Sequence, residues 1–253
     1  WDLDGVTTTY QWYVGTSKVS GATAGLYRVQ AKDLGKDIYV KAAGTKPGYD
    51  TGTAASNTIR AVAGDALAVI SSPKITGTRA VGHTLTASPG SWAGSSTPTY
   101  TYQWLRGGAA ITGATKSTYT LSVADAARQV SVRVTAHATA MADGTATSAA
   151  VVIAKLGTHT KLALVTAKIR RTAYPKATVT VGDSYGVRPT GTVRVYSGSR
   201  LVKSATLRAS QNGKVTVTLP KQAVGRHAIS ARYLGNWQLA ASRSTSATLT
   251  VVR

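Results

Sequence analysis

The sequence predicts an all-β chain of three tandem β-sandwiches, the first lacking its N-terminal strands. Three observations carry that reading. Short runs alternate apolar and polar residues, as in DIYVKA (37–42), QVSVRVTA (129–136), TVRVY (192–196) and KVTVTL (214–219), which places apolar side chains on one face of a strand. Gly, Ser, Thr, Asn and Pro punctuate these runs about every ten residues, the rhythm of sandwiches rather than helices. Finally, YQWYVGTSKVSGAT at 10–23 returns as YQWLRGGAAITGAT at 102–115 with no internal gap. No long helical stripe competes.

The repeat reaches beyond that phrase. Tyr27 matches Tyr119, Asp33 matches Asp125, Ile38 and Val40 match Val130 and Val132, and Ser56 matches Ser148, all at an offset of 92. Trp1 pairs with Trp92 after one residue of slippage. The second unit therefore starts before Trp92, in SSPKITGTRAVGHTLTASPGSW. Its opening strands, KITGT and TLTAS, have no counterpart in the first unit. Linkers are expected at AVAGDALAV (61–69) and AKLGTHTKL (154–162), which sets domain boundaries at 1–64, 65–155 and 156–253. The third unit has its own strand rhythm in PTGTVRVY, GRHAISARYLGN and STSATLTVV. The Asn-Gly pair of SQNGK (210–214) predicts a hairpin turn there, because both residues tolerate positive φ.

These residues resemble bacterial immunoglobulin-like repeats of secreted and surface proteins of Gram-positive bacteria, especially the actinobacterial type. The first two units are similar to a repeat that carries Pro89-Gly90-Ser91-Trp92 (Trp1 alone in the first unit), then Tyr10-Gln11-Trp12 or Tyr102-Gln103-Trp104. Gly21-Ala22-Thr23 or Gly113-Ala114-Thr115 follows, and later Asp33-Leu34-Gly35 or Asp125-Ala126-Ala127. Ala127 departs from the pattern's Gly and brings its turn geometry into question. The third unit resembles a second type over Pro189–Val195, Gly225–Tyr233 and Ser244–Val251. The resemblance implies three immunoglobulin-like sandwiches, secreted or at the cell surface, joined to an upstream domain of the same parent protein. The strands missing from the first unit precede Trp1 in that parent or are donated by another subunit.

In a sandwich, a Trp in the central strand with Tyr two residues earlier fills the space between sheets, so Tyr10, Trp12, Tyr102 and Trp104 are expected in the core. Gly21 and Gly113 supply turns, and Asp33 and Asp125 are expected to bond backbone amides at the next corner. The repeated phrase is frame rather than active site.

The inventory of reactive groups excludes most chemistry. There is no Cys, and all nine acids are Asp, so thiol catalysis and thiolate metal sites are absent. His83, His137, His159 and His227 are scattered. A calcium loop at Asp2 and Asp4 is conceivable on ligand type alone, but neither a metal site nor a cofactor is expected. An internal Lys–Asn crosslink in the third unit would need Asp183 buried beside it. No phosphate loop appears. The chain reads as non-enzymatic, with no transmembrane segment.

Charge is the informative residual. The net charge is +21, and residues 156–253 hold sixteen Lys and Arg against the single Asp183, an excess of fifteen. Self-repulsion of that size opposes folding and favours an anionic partner. Lys168, Arg170, Arg171, Arg194, Arg200, Lys203, Arg208 and Arg232 are the candidate anion-binding residues. For an exported protein the nearest polyanions are anionic cell-wall polymers, teichoic or related acids. The chain then acts as a stalk and wall-associating tail, and the alternative is an accessory nucleic-acid- or carbohydrate-binding tail of an extracellular hydrolase. For the carbohydrate reading, Trp237 and Tyr233 are the stacking candidates.

Overall fold

In the computed structural model, residues 4–93 and 97–253 are described; Trp1 and Asp2, which entered the repeat and calcium readings, lie outside them. The chain is all-β, with 3-10 turns at Ala31–Asp33, Val123–Asp125 and Ala209–Gln211. Contacts gather it into two compact units. One comprises Trp1–Pro73, Pro89–Thr101 and Arg133–Thr147, and the other Lys74–Ser88, Tyr102–Val132 and Ser148–Arg253.

In the first unit, β1 (Thr7–Val14), β2 (Ser17–Lys18), β3 (Asp37–Thr45), β4 (Gly52–Ala55) and β5 (Ile59–Arg60) form one antiparallel sheet in the order β2-β1-β3-β4, with β5 also on β3. Residues 61–69, expected to be linker, are partly strand. Here β6 (Gly64–Ala66) pairs in parallel with Met141–Ala142, and β7 (Val69–Ser71) with Ser91–Trp92. A Cβ on Gly144 would collide with the Leu67 carbonyl and crowd the Trp92 ring, so this packing requires glycine.

In the second unit, β8 (Lys74–Thr76), β9 (Thr84–Ser88) and Thr118–Thr120 make a three-stranded sheet. The next strands in chain order are β10 (Ser91–Trp92), β11 (Thr99–Arg106), β12 (Ala109–Ala110), β13 (the Thr118–Thr120 strand just named), β14 (Gln129–His137), β15 (Met141–Ala142), β16 (Gly144–Thr147) and β17 (Val151–Val152). Leu85 of β9, Trp104 of β11, Val130 and Val132 of β14, and Leu121 are fully buried. Leu85 belongs to the three-stranded sheet and Leu121 follows its strand β13. Trp104, Val130 and Val132 belong to a second sheet in which β12, β11 and β14 are neighbours, as a sandwich core requires.

The remaining strands are β18 (Thr158–Leu164), β19 (Lys168–Arg170), β20 (Lys176–Asp183), β21 (Gly191–Ser197), β22 (Arg200–Leu207), β23 (Lys214–Thr218), β24 (Gly225–Tyr233), β25 (Ser242–Arg243) and β26 (Ala247–Val252). They form a β18-β20-β23 sheet and a β19-β26-β24-β21-β22 sheet, the latter with β25 on β24. Alternation does the sorting. Val179 and Val181, Val215 and Val217, Val193 and Val195, Ile229 and Ala231, and Leu249 and Val251 all enter one core, where each Val, Ile and Leu adds roughly 1.5–3 kcal/mol on burial.

Two expectations are corrected here. SQNGK is not a hairpin. Asn212 and Gly213 do have φ of 45° and 76°, but they follow the Ala209–Gln211 turn and carry the chain from one sheet to the other, where β23 pairs with β20. Asn-Gly reports left-handed backbone, and only the pairing partner decides whether a hairpin results. Nor is 154–162 a free linker. Strand β18 starts at Thr158, the Leu156 amide donates to the Gln238 carbonyl, and the Leu156 carbonyl accepts from Ala240.

Candidate anion-binding surface

The repeated phrase builds frame, and its geometry shows how. Gln11 Nε2 donates to the Val19 carbonyl at 2.7 Å, and Gln103 Nε2 to the Ile111 carbonyl at 2.9 Å, closing the same loop twice. The indoles of Trp12 and Trp104 donate to the carbonyls of Ala24 and Lys116, each at 2.9 Å. Gly21 and Gly113 both sit at φ 74°. Asp33 and Asp125 accept the amides of Gln30 (2.9 Å) and Ser122 (2.7 Å), the corner role read from sequence.

The core assignment holds fully only for Trp104. Trp12 and Tyr102 are half-buried, and Tyr10 is exposed, contrary to its assignment to the core. The reason is visible at neighbouring repeat positions. Leu121 is 2% exposed and its equivalent Val29 44%; Val151 is 7% exposed and its equivalent Ile59 60%. Residues 26–28, the equivalents of β13, carry no strand, whereas β13 itself is held by β9. A strand needs a partner for its backbone groups, and a sheet face needs a facing sheet.

The basic residues of 156–253 divide by sheet. On β21 and β24 the buried Val193, Val195, Ala231 and Tyr233 point into the core, so Arg194 and Arg232 project from the outer face. They are direct cross-strand partners. Lys168 and Arg170 share that outer face on β19, with Lys168 opposite Thr250 and Thr250 opposite Arg226. Arg171 follows β19, while Arg200 and Arg208 lie at or just beyond the two ends of β22. Lys203 is exposed on β22, where the register shifts between Val195 and Tyr196. The eight candidates thus all reach solvent, but they form separate groups and no single cluster.

One residue escaped the sequence reading. Arg243, in the two-residue strand β25, stands directly opposite Arg232. Its run, ASRST, has no alternation long enough to mark a strand, so no sequence signal placed it beside Arg232.

Carboxylates are scarce. Among the described residues the ion pairs are Arg60–Asp37 and Arg106–Asp125, and His137 is hydrogen-bonded to Asp143; none of these lies on this surface. Asp183 is half-buried and spends Oδ1 on the amides of Tyr185 (2.6 Å) and Val187 (3.2 Å), a turn-stabilising role. Among the described residues, no group of three or more potential ligands could hold a metal ion, and no helix is long and apolar enough to cross a membrane.

The stacking pair separates. Tyr233 is fully buried with its hydroxyl donated to the Thr190 carbonyl at 2.6 Å, so no sugar can reach its ring. The alternation of β24 buries it. Trp237 is 57% exposed, and the Arg128 guanidinium lies 4.7 Å from its ring centroid.

Residues 162–252 match the bacterial Ig-like domain (group 3) family. No curated protein matches the chain. Among solved structures, the fibronectin(III)-like modules of Clostridium thermocellum CbhA are similar at 16% identity, over 71% of this chain and 94% of theirs, with a TM-score of 0.29. A structure bearing on host cell surface retention of a 1.5-MDa bacterial ice-binding adhesin is 13% identical, over 99% of this chain and 87% of its own, with a TM-score of 0.35. Three N-terminal domains of the bacteriophage RB49 highly immunogenic outer capsid protein are 13% identical, over 97% and 89%, with a TM-score of 0.36. At these scores the structural likenesses carry no inference about function. Residues 162–252 are thus similar to a bacterial Ig-like domain.

Proposed function

We propose that this chain is the stalk and cell-wall-associating tail of a larger exported bacterial protein, and that residues 156–253 bind anionic wall polymers electrostatically. The observation that carries the reading is the excess of fifteen positive charges in those residues, projected from exposed positions with the one local carboxylate engaged by backbone amides. Such a surface holds a polyanion in a salt-sensitive way and needs no enclosed pocket. Residues 1–64, 65–155 and 156–253 are three tandem modules in this reading. The first receives its two opening strands from chain that precedes Trp1 in the parent protein, which the exposure of Tyr10, Val29 and Ile59 supports.

The test is retention of the intact chain on purified Gram-positive walls, with and without their anionic polymers, at low and high salt. Retention that disappears with the polymers, or at high salt, is the expected result. Retention independent of both would overturn the electrostatic reading.

A further inference from the structure

We propose that Arg194, Arg232 and Arg243 form a single phosphate-binding row, a site for a phosphodiester polymer lying across the strands of the β19-β26-β24-β21-β22 sheet. The proposal rests on the wall-polymer reading and names the place and the ligand chemistry within it. Register makes the row. Arg194 of β21 pairs with Arg232 of β24, and Arg232 pairs with Arg243 of β25. Ser204 of β22 stands opposite Arg194 at the other end. Neighbouring strands lie about 4.8 Å apart, so the three guanidinium stems span about 10 Å across the sheet. All three residues are exposed, and a shallow hollow lined by Arg232, Ala241, Ser242 and Arg243 opens beside them.

Like charges directly opposite one another destabilise a sheet, and here the repulsion has no internal remedy. None of the three arginines joins an ion pair among the described residues.

The other sheet of the same module carries its charge in a different arrangement. Its outer face carries Lys161, Lys176 and Lys214, and Thr180 of β20 stands between Lys161 and Lys214. There a threonine separates Lys161 from Lys214, and Lys176 stands opposite Thr218; in the row, arginines are set side by side. The guanidinium fork takes two phosphate oxygens at once and stays charged at any physiological pH, whereas a lysine offers a point charge. An adjacent set of forks therefore suits successive phosphates of one chain. The row lacks an exposed aromatic platform, since the exposed large aromatics of residues 156–253 are Tyr174, Tyr185 and Trp237, none of them on these strands. A polyol phosphate fits this surface better than a single-stranded nucleic acid, which gains much of its affinity from base stacking.

The experiment uses the intact chain and immobilised poly(glycerol phosphate), with affinity followed across a salt series. Arg194→Gln/Arg232→Gln/Arg243→Gln is compared with the charge-matched Lys161→Gln/Lys176→Gln/Lys214→Gln. Expected is a loss of about tenfold or more for the arginine triple, against about twofold for the lysine triple. The slope of log affinity on log salt should fall by about two for the arginine triple alone. Arg194→Lys/Arg232→Lys/Arg243→Lys keeps the charge and removes the forks, and should recover only part of the loss. Equal losses from the arginine and lysine triples would overturn the row and leave the diffuse-charge reading standing. Full recovery by the lysine replacements would overturn the fork chemistry. Equal or tighter binding of wild type to oligo-deoxythymidine or to polyglutamate would overturn the ligand class. No binding of wild type to poly(glycerol phosphate), or to walls, would bring down the underlying reading as well.

Discussion

Arg106 Nε donates to Asp125 Oδ1 at 2.6 Å, and the equivalent position of the first repeat, Val14, has no charge to offer Asp33. The two corners share a tyrosine donor and a backbone amide donor. Tyr119 donates its hydroxyl to Asp125 at 2.9 Å, and Tyr27 donates to Asp33 at 2.7 Å. The Asp125 carboxylate is fully buried and also accepts from the Ser122 amide and hydroxyl. Removing it leaves several donors without an acceptor, so Asp125→Ala is expected to cost about 3–5 kcal/mol. Arg106→Val, which imitates the first repeat, should cost less because the arginine is partly exposed. Urea denaturation of both variants checks the order.

The same corner sets an acid limit. Burial pushes the Asp125 carboxyl up, but the Arg106 guanidinium, the Ser122 hydroxyl and amide, and the Tyr119 hydroxyl outweigh it and hold it below the ordinary carboxylate value. Burial likewise raises Asp33, and the Tyr27 hydroxyl and Gln30 amide prevail over it. A carboxyl lowered on folding binds fewer protons in the folded than in the unfolded chain. Its stabilisation is complete above the unfolded value of about 3.9 and disappears as pH falls through the folded one. Urea midpoints should therefore drop steeply below about pH 4, and Asp125→Asn should flatten that fall.

Ala127 is held at φ 59° where the first repeat has Gly35 at 76°. A left-handed alanine is strained, so Ala127→Gly should raise stability by about 0.5–1 kcal/mol despite the added freedom of the unfolded chain. Gly35→Ala should lower it by about 1 kcal/mol through backbone strain alone, since a Cβ there meets nothing within 4 Å. Opposite signs in paired denaturation curves are the expected outcome.

Gly213 combines both constraints. It has φ 76°, and a Cβ on it would collide with the Val181 carbonyl, while its own carbonyl accepts from the Val181 amide at 2.8 Å. Gly213→Ala should cost about 2–4 kcal/mol, more than Gly35→Ala, because sterics add to strain. Thermal melts of the two variants side by side decide it.

The two repeated tryptophans should differ in the same kind of test. Trp104 is fully buried, and Trp104→Ala is expected to cost about 3–5 kcal/mol. Trp12 is half-buried on a face whose neighbours Val29 and Ile59 are open, so Trp12→Ala should cost about half as much. Placing a copy of residues 70–91 ahead of Trp1 should raise the cost of Trp12→Ala toward that of Trp104→Ala. An unchanged cost would reject the proposal that two opening strands complete this module.

The class of fold, the strand rhythm, the repeat and the corner aspartates were all legible in the amino-acid order. Those features are local: alternation sets which side chains share a face, and Gly21, Gly113 and Asp125 act within a few residues of themselves. Tertiary structure decided whatever depends on which strand lies beside which. It turned Asn212-Gly213 from a hairpin into a passage between sheets, and it buried Tyr233 while leaving Tyr10 open. It also set Arg243 beside Arg232, eleven positions away in sequence. Pairing of this kind is fixed by backbone hydrogen bonds between distant segments, and hydrogen-bonding capacity is the same for nearly every residue in the chain. Composition records how much positive charge residues 156–253 carry; only the register of β21, β24 and β25 puts three arginines in a row.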